Sequence, residues 1–457
     1  MTGYRDIYAR VRASIEEGQL KAGDRLPSAR ALASDLGVAR GTVDAAYALL
    51  SGEGYVVSRG RGGTVVSPEL PERDPNRPAR ARSGGAAPKA GPAPPAEGWS
   101  LIPGVPALDL FPRKLWSQLV SRHARRLAVA DLAYAHPAGK TALREAVAAY
   151  LGVARGITCA PEQVLITGGY QSALGLLLRL LLKPGCEVWL EDPGYRPARR
   201  AVEAAGANPV AVPVDHDGMD VDAAQALCPE PTLCIVTPAH QFPLGVSLSL
   251  PRRLALLDWA RRTGGWILED DYEGEFRNQG RALPALKSLD RDDRVFYVGT
   301  FSKTLFPGLR LGYVVAPAGE AERVIDAHRW LDGGRPGLEQ AVVADFMAHG
   351  HFARHLKKMR TAYDIRRAAL SAAIGEAFGP QARIERSAGG LHLVVRFDTP
   401  HRDVELARRA AGAGLRPVPL SPMSWAADRG DALLVGFGNT SERQAREVAG
   451  RLRAAIG

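Results

Sequence analysis

The sequence predicts two folded parts of different class. The first is a small α+β domain of three helices and a hairpin. The second is a large α/β domain on a mostly parallel sheet, with a smaller α+β piece at its C-terminal end. Three observations carry this. Residues 68–98 hold eight prolines among Gly, Ala and Arg and almost nothing large and apolar, so the stretch buries too little surface to fold and reads as a flexible linker. Before it, apolar residues recur at helical spacing in short runs. After it, short apolar runs alternate with helical stretches, as strands covered on both faces do. The expected divisions are 1–67, 68–98 and 99–457, with the smaller C-terminal piece over roughly 320–457.

In the first part, Ile7, Val11 and Ile15 share one face of a helix that ends at Gly18. Ser28 caps a short helix from Ala29 to Leu36, and Gly37 stops it. A third helix runs from Arg40 to Ser51 and buries Val43, Tyr47 and Leu50. Tyr55–Ser58 and Thr64–Ser67 read as strands joined by Arg59-Gly-Arg-Gly-Gly63. Helix pair, third helix and basic hairpin make a winged helix-turn-helix. Arg30, Arg40 and Thr42 on the second and third helices, with Arg59 and Arg61 on the wing, are the candidate DNA contacts. Taken alone, these arginines read better as solvated side chains of a small helical domain. The order Leu26-Pro-Ser-Ala-Arg30, Leu32-Ala, Leu36-Gly-Val-Ala-Arg-Gly-Thr-Val43, Tyr47, Leu50, Gly54-Tyr and a glycine-rich wing resembles the GntR family of bacterial repressors and implies binding to operator DNA.

In the second part, buried strands are expected at Val164–Ile166, Val188–Leu190, Leu233–Val236, Trp266–Leu268, Val295–Val298 and Gly312–Val315. Helices are expected at Gln171–Leu182 and Pro251–Thr263, and a long helical region at Glu320–Phe378. Leu391–Phe397 and Leu433–Phe437 belong to the small piece.

Bulk properties narrow the function. The net charge of +10 is not concentrated at the N-terminus, where residues 1–67 carry nine Lys/Arg against seven Asp/Glu. Charge alone therefore does not argue for nucleic acid. Cys159, Cys186, Cys228 and Cys234 form no CxxC pair and lie near no histidine group, so no metal site or disulfide framework is expected and a reducing cytoplasm fits. Residues 1–25 hold no apolar signal core, and the longest apolar run, Ala173–Leu182, is too short for a membrane span and is broken by Arg179.

The chemistry lies in five motifs, each expected at a strand's C-terminal end, where open α/β sheets place ligands. Thr300-Phe-Ser-Lys303 followed by Arg310 offers an amine for a Schiff base, with hydroxyls and a guanidinium for a phosphate. That set suits pyridoxal 5'-phosphate. Gly168-Gly-Tyr-Gln-Ser172 opens a helix, so Gly169, Tyr170 and Gln171 offer donors to the phosphate. Tyr195 of Glu191-Asp-Pro-Gly-Tyr195 is placed to stack on the pyridine ring. His240 lies in Thr237-Pro-Ala-His-Gln-Phe-Pro-Leu-Gly245, within reach of the ring hydroxyl. In Glu269-Asp-Asp-Tyr272 an aspartate would pair with the pyridinium nitrogen, and Tyr272 with the phenolic oxygen. Each motif alone has a bland reading: a glycine turn, a structural histidine, a solvated acidic turn, a surface lysine. Five in order do not.

This order resembles the fold-type-I aminotransferases, and its fusion to a GntR-like head resembles the MocR-type regulators. The resemblance implies Lys303 as Schiff-base lysine, Asp270 rather than Asp271 as pyridinium partner, Tyr272 at the ring oxygen, Tyr195 stacked, and Thr300, Ser302 and Arg310 on the phosphate. It also implies a homodimer, head to tail, whose body senses a small amine, an amino acid or the cofactor itself. One departure stands out. Where such enzymes place an arginine for the substrate carboxylate, Ala432-Leu-Leu-Val-Gly-Phe-Gly438 has none; Arg396 is nearby, with a structural role equally open. Losing a bidentate contact costs a carboxylate ligand on the order of a few kcal/mol. The leading expectation is a transcription regulator. A working aminotransferase with a DNA-binding appendage, or a DNA-binding protein with an inert body, are the rivals.

Overall fold

The computed structural model describes residues 3–70, 100–276, 284–387, 389–426 and 429–457, without the Arg61 side chain. Arg61 as a DNA contact, and the predicted linker beyond residue 70, lie outside what is described. The chain divides into two compact units, residues 1–94 and 95–457.

In the first unit, α1 (Tyr4–Glu16), α2 (Ala29–Leu36) and α3 (Arg40–Gly52) precede a hairpin of β1 (Val56–Ser58) and β2 (Thr64–Val66). Ile7, Val11, Leu26, Ala33, Val43, Ala46, Tyr47, Leu50 and Val56 form its core. Burial of each large apolar side chain stabilises by about 1.5–3 kcal/mol, which holds three short helices that would not persist alone. The Ser28 hydroxyl accepts from the Ala31 amide at 3.2 Å, capping α2. Gly37 ends the helix at φ 63°, a conformation that strains any side chain. The first strand is a residue shorter than predicted, because the Tyr55 amide closes α3 on the Leu50 carbonyl at 2.9 Å.

The second unit is built on β3 (Val164–Thr167), β4 (Glu187–Asp192), β5 (Asn208–Asp215), β6 (Gly218–Met219), β7 (Leu233–Val236), β8 (Trp266–Asp271), β9 (Val295–Thr300) and β10 (Gly312–Val315). The spatial order is β3-β10-β9-β8-β7-β4-β5-β6. Strands β9, β8, β7, β4 and β5 run parallel. β10 is antiparallel to both β3 and β9. The connection from β9 to β10 spans only Phe301–Leu311, too short for the crossover that a parallel neighbour needs. β5 was not expected from the sequence: Pro209 and Pro213 interrupt its β-forming run, and among the described residues its partner besides β4 is the two-residue β6. Leu165, Leu268, Phe296 and Val298 pack on one face of the sheet, and Val164, Ile166, Tyr297 and Tyr313 on the other.

The long helical region resolves into three helices, Ala321–Leu331, Gly337–Ala348 and His351–Phe378. Gly333 and Gly334, at φ 72° and 99°, separate the first two, and Gly350 at φ 70° separates the others. A second, antiparallel sheet follows, with β11 (Ala382–Ile384), β12 (His392–Phe397), β13 (Val418–Pro419) and β14 (Leu433–Gly436) in the order β11-β12-β14-β13. Among the described residues, no helix is long and apolar enough to cross a membrane.

Candidate ligand pocket and candidate DNA-binding surface

Because β3, β4, β7, β8 and β9 point the same way, their C-terminal ends meet at one edge of the sheet. Gly312, the first residue of antiparallel β10, pairs there with Thr167 and Thr300. The edge therefore gathers Gly168–Gln171, Tyr195, His240, Asp270–Tyr272, Thr300–Lys303 and Arg310, as the motif positions predict.

At one end of the pocket Gly169, at φ 94°, caps the helix Tyr170–Leu181. A Cβ built on Gly169 meets nothing within 4 Å, so the helix N-terminus opens onto free space. Free amides and the helix dipole there favour an anion. Gly312 is packed so closely that a Cβ on it would lie 2.9 Å from the Gly169 Cα. Thr300 Oγ1 accepts from the Ser302 amide at 3.1 Å and caps the turn that carries Lys303. Arg310 is a non-glycine residue at φ 52°, a backbone conformation costing about 1 kcal/mol. Its guanidinium shares a cavity with Arg335. Arg335 pairs with Asp332, and its Nε is buried without a hydrogen-bond partner among the described residues. Burial, and then Arg310, lower the Arg335 pKa. The sequence reading missed Arg335; it comes from the Gly-Gly-Arg-Pro break between two helices, and no motif marks it.

At the centre, successive aspartates of β8 face opposite ways, as strand geometry requires. Asp271 takes a buried salt bridge from Arg155 at 2.5 Å and the Tyr297 hydroxyl at 2.7 Å. Asp270 lies on the other face, where the Tyr170 hydroxyl bonds it and Lys303 adds an attractive charge. Burial pushes the Asp270 pKa well above the usual carboxylate range. Burial likewise lowers the Lys303 pKa, against Glu273 and Asp270, which raises its share of free amine. The Lys303 ammonium donates to the Gly104 carbonyl. Tyr195 bonds Gln171, packs edge-on against Tyr170 with ring centroids 5.9 Å apart, and burial raises its pKa.

At the far end His240 Nδ1 lies 2.8 Å from the Tyr272 hydroxyl, and His240 Nε2 lies 3.2 Å from Ser387 Oγ. Glu273 is 3.7 Å from the same histidine. His392 packs across from His240 at 5.6 Å, and burial pushes its pKa down to about 4. Glu273, Ser387, His392 and Gly104 are pocket residues that the sequence reading did not single out. Only Glu273 had a signal, being adjacent to Tyr272. Arg396 is not free for a ligand: Glu385 holds it at 2.5 Å and the Asp431 carbonyl at 3.2 Å. Leu434, in the stretch without arginine, is buried with Val394, Leu420 and Met423.

These residues fit a phosphorylated pyridine aldehyde. An open helix N-terminus and an orphan guanidinium nitrogen suit the phosphate, a buried aspartate suits a ring cation, and a half-buried lysine suits the aldehyde.

In the first unit, Arg40 and Thr42 occupy the first turn of α3, Arg30 the start of α2, and Arg59 directly follows β1. The three arginines are exposed and Thr42 is half-buried. Arg40 makes a 3.4 Å pair with Asp44 on its own helix; both side chains are exposed, so the pair holds Arg40 only weakly. Arg25 joins this surface unpredicted: a Cβ on Gly63 of the wing would lie 2.9 Å from its Nε.

Residues 115–419 match the family model for aminotransferase class I and II. Residues 3–66 match that for bacterial regulatory proteins of the gntR family. The chain is 37% identical, over 99% of its length and 93% of the relative's, to the probable rhizopine catabolism regulatory protein MocR of Rhizobium meliloti. It is 33% identical, over 98% and 94%, to the pyridoxine biosynthesis transcriptional regulator PdxR of Corynebacterium glutamicum. Among solved structures, the Thermus thermophilus α-aminoadipate aminotransferase LysN, complexed with N-(5'-phosphopyridoxyl)-L-leucine, matches with a TM-score of 0.72 and 29% identity over 79% of this chain and 92% of that one.

Proposed function

Because the chain belongs to the MocR-type transcription regulators, a GntR head joined to an aminotransferase body, we propose that it reads operator DNA with α3 and the wing, and senses a small amine in the pocket at Lys303. The observation that carries this is a half-buried lysine and a buried aspartate at one sheet edge, in a chain that also folds a winged helix-turn-helix. The cofactor is pyridoxal 5'-phosphate. When bound, it supplies an aldehyde that condenses reversibly with primary amines.

The chain's own residues have separable tasks in this reading. The amides of Tyr170 and Gln171, with Thr300, Ser302 and Arg310, take the phosphate, and Arg335 adds a second guanidinium. Asp270 pairs with the ring nitrogen; a positive partner restores the ionised state that burial disfavours. Tyr195 covers the ring. Tyr272, positioned by His240, donates toward the ring oxygen. Lys303 is the covalent anchor and yields to an incoming amine. Differential affinity for that amine in two arrangements of the body is what would alter DNA affinity.

A homodimer supports the two half-sites such a head reads. Val129, Leu132 and Tyr134 stand 87%, 75% and 104% exposed on one short segment of the body, an apolar surface that a second copy would cover.

The test is a DNA fragment selected by the full-length chain from a random pool, followed by mobility shift with and without cofactor. Lys303→Ala is expected to retain DNA binding and lose the response to amines. A response that survives the substitution removes Lys303 from the sensor. A working aminotransferase remains the second reading, favoured by the retained pocket chemistry. Multiple turnovers of amino and keto acids would establish it.

A further inference from the structure

Glu273 is fully buried, and its carboxylate is only half used. Oε2 accepts from the Leu391 amide at 3.0 Å, while Oε1 has no hydrogen-bond partner among the described residues. The free oxygen and the lysine amine share one space: around the point where a Cβ on Gly104 would sit, Lys303 Nζ is at 2.7 Å and Glu273 Oε1 at 3.6 Å. A second glycine keeps that space open. A Cβ on Gly390 would lie 2.1 Å from His240 and 2.8 Å from Glu273 Oε2. Beyond Lys303 and His240, His392 and Phe242 adjoin this space, one held neutral by burial and one apolar. His392 pairs with the Pro243 carbonyl at 2.9 Å, and Phe242 packs against it at 5.7 Å. The guanidinium on the adjoining strand, Arg396, is held by Glu385.

We infer that the effector is a primary amine whose second polar group donates hydrogen bonds, a hydroxyl or a further ammonium, and that Glu273 receives it. The inference rests on the cofactor reading above and names the ligand class for the same pocket. A buried acceptor without a donor is unfavourable, so a ligand that brings the donor gains that energy on binding. Burial raises the Glu273 pKa to about 7, and a ligand carboxylate would meet the charge that remains in a low-dielectric site, with no guanidinium among the described residues to offset it. An ordinary α-amino acid is thus the wrong shape of charge for this pocket.

The test uses the full-length, cofactor-loaded chain and four amines: butylamine, putrescine, aminobutanol and aminobutanoate. They share one carbon chain length and differ at the far end. Each is titrated while the visible absorbance of the bound cofactor is followed. Putrescine and aminobutanol are expected to half-saturate at concentrations about tenfold below aminobutanoate. Glu273→Gln is expected to bring the series within about twofold. Aminobutanoate binding tightest in the wild-type chain overturns the inference, whatever the variant does. So does an unchanged ratio in Glu273→Gln, which would leave Glu273 as a counter-ion to Lys303 alone. Borohydride reduction separates the two layers. A cofactor fixed to Lys303 without discrimination among the amines sinks the effector class only; no fixed cofactor sinks the pocket reading as well.

Discussion

The two aspartates of β8 show how one strand divides chemistry from architecture. Asp270 and Asp271 are neighbours in sequence, yet each faces a different side of the sheet and serves a different partner. Asp270→Asn is expected to weaken cofactor binding at least about tenfold, since an amide cannot hold a pyridinium as a carboxylate does. Asp271→Asn removes the partner of buried Arg155 and should instead destabilise the body by about 3–5 kcal/mol in thermal or urea unfolding. Equal effects of both on loading would contradict the division. His355 supplies a pH-dependent counterpart. It packs between Phe111 and Phe346, and burial pushes its pKa down to about 4 from the usual 6.5. As pH falls through that interval the unfolded chain takes the proton first. The stability from a neutral His355 is therefore complete above pH 6.5 and lost on the way down to about 4. A His355→Phe variant keeps the ring contacts and does not titrate there. Relative to wild type it should gain about 3 kcal/mol between pH 7 and pH 4 in urea unfolding, and parallel pH profiles would refute this.

Elements differ in how openly the sequence announces them. The head was legible because Ser28 and Gly37 bracket α2, and because Val43, Tyr47 and Leu50 mark the buried face of α3. Ser28→Ala should cost the head about 1 kcal/mol, read as a lower midpoint of the first unit's unfolding. Strands β3, β7, β8 and β9 were legible as unbroken apolar runs. β5 was hidden by its prolines, and the antiparallel direction of β10 follows from connection length, which hydropathy does not show. The pocket divides the same way. Lys303, Asp270 and Tyr195 sit in motifs at strand ends. Glu273 beside Ser387 and His392, and Arg335 beside Arg310, come together only when the small antiparallel sheet and the helix break at 333–336 fold against the large one. At this scale too, Arg40 at the start of α3 should contribute to DNA affinity. Arg40→Ala is expected to weaken operator binding and, if it meets a phosphate, to reduce the slope of log affinity against log salt by about one. An unchanged affinity would remove it from the interface.

At the scale of the whole molecule the question is whether head and body exchange free energy. An amine at Lys303 that changes operator affinity by some factor must find its own affinity changed by the same factor when operator is bound. This is a thermodynamic requirement on one coupled protein. In a head and body that merely share a chain both factors equal one. Two titrations decide it: operator binding with the pocket empty and saturated by putrescine, and putrescine binding with and without saturating operator, followed by cofactor absorbance. Coupling of the usual size, about 1–3 kcal/mol, makes each ratio about 5- to 150-fold. Equal ratios, both different from one, are the expected outcome. The same pair of titrations on Leu132→Asp, which places a charge on the exposed segment at 129–134, should return ratios near one if a second copy transmits the change. Ratios unaltered in a variant shown to be monomeric by light scattering would place the coupling within a single chain. Ratios of one in wild type would leave the body a passenger on its DNA reader.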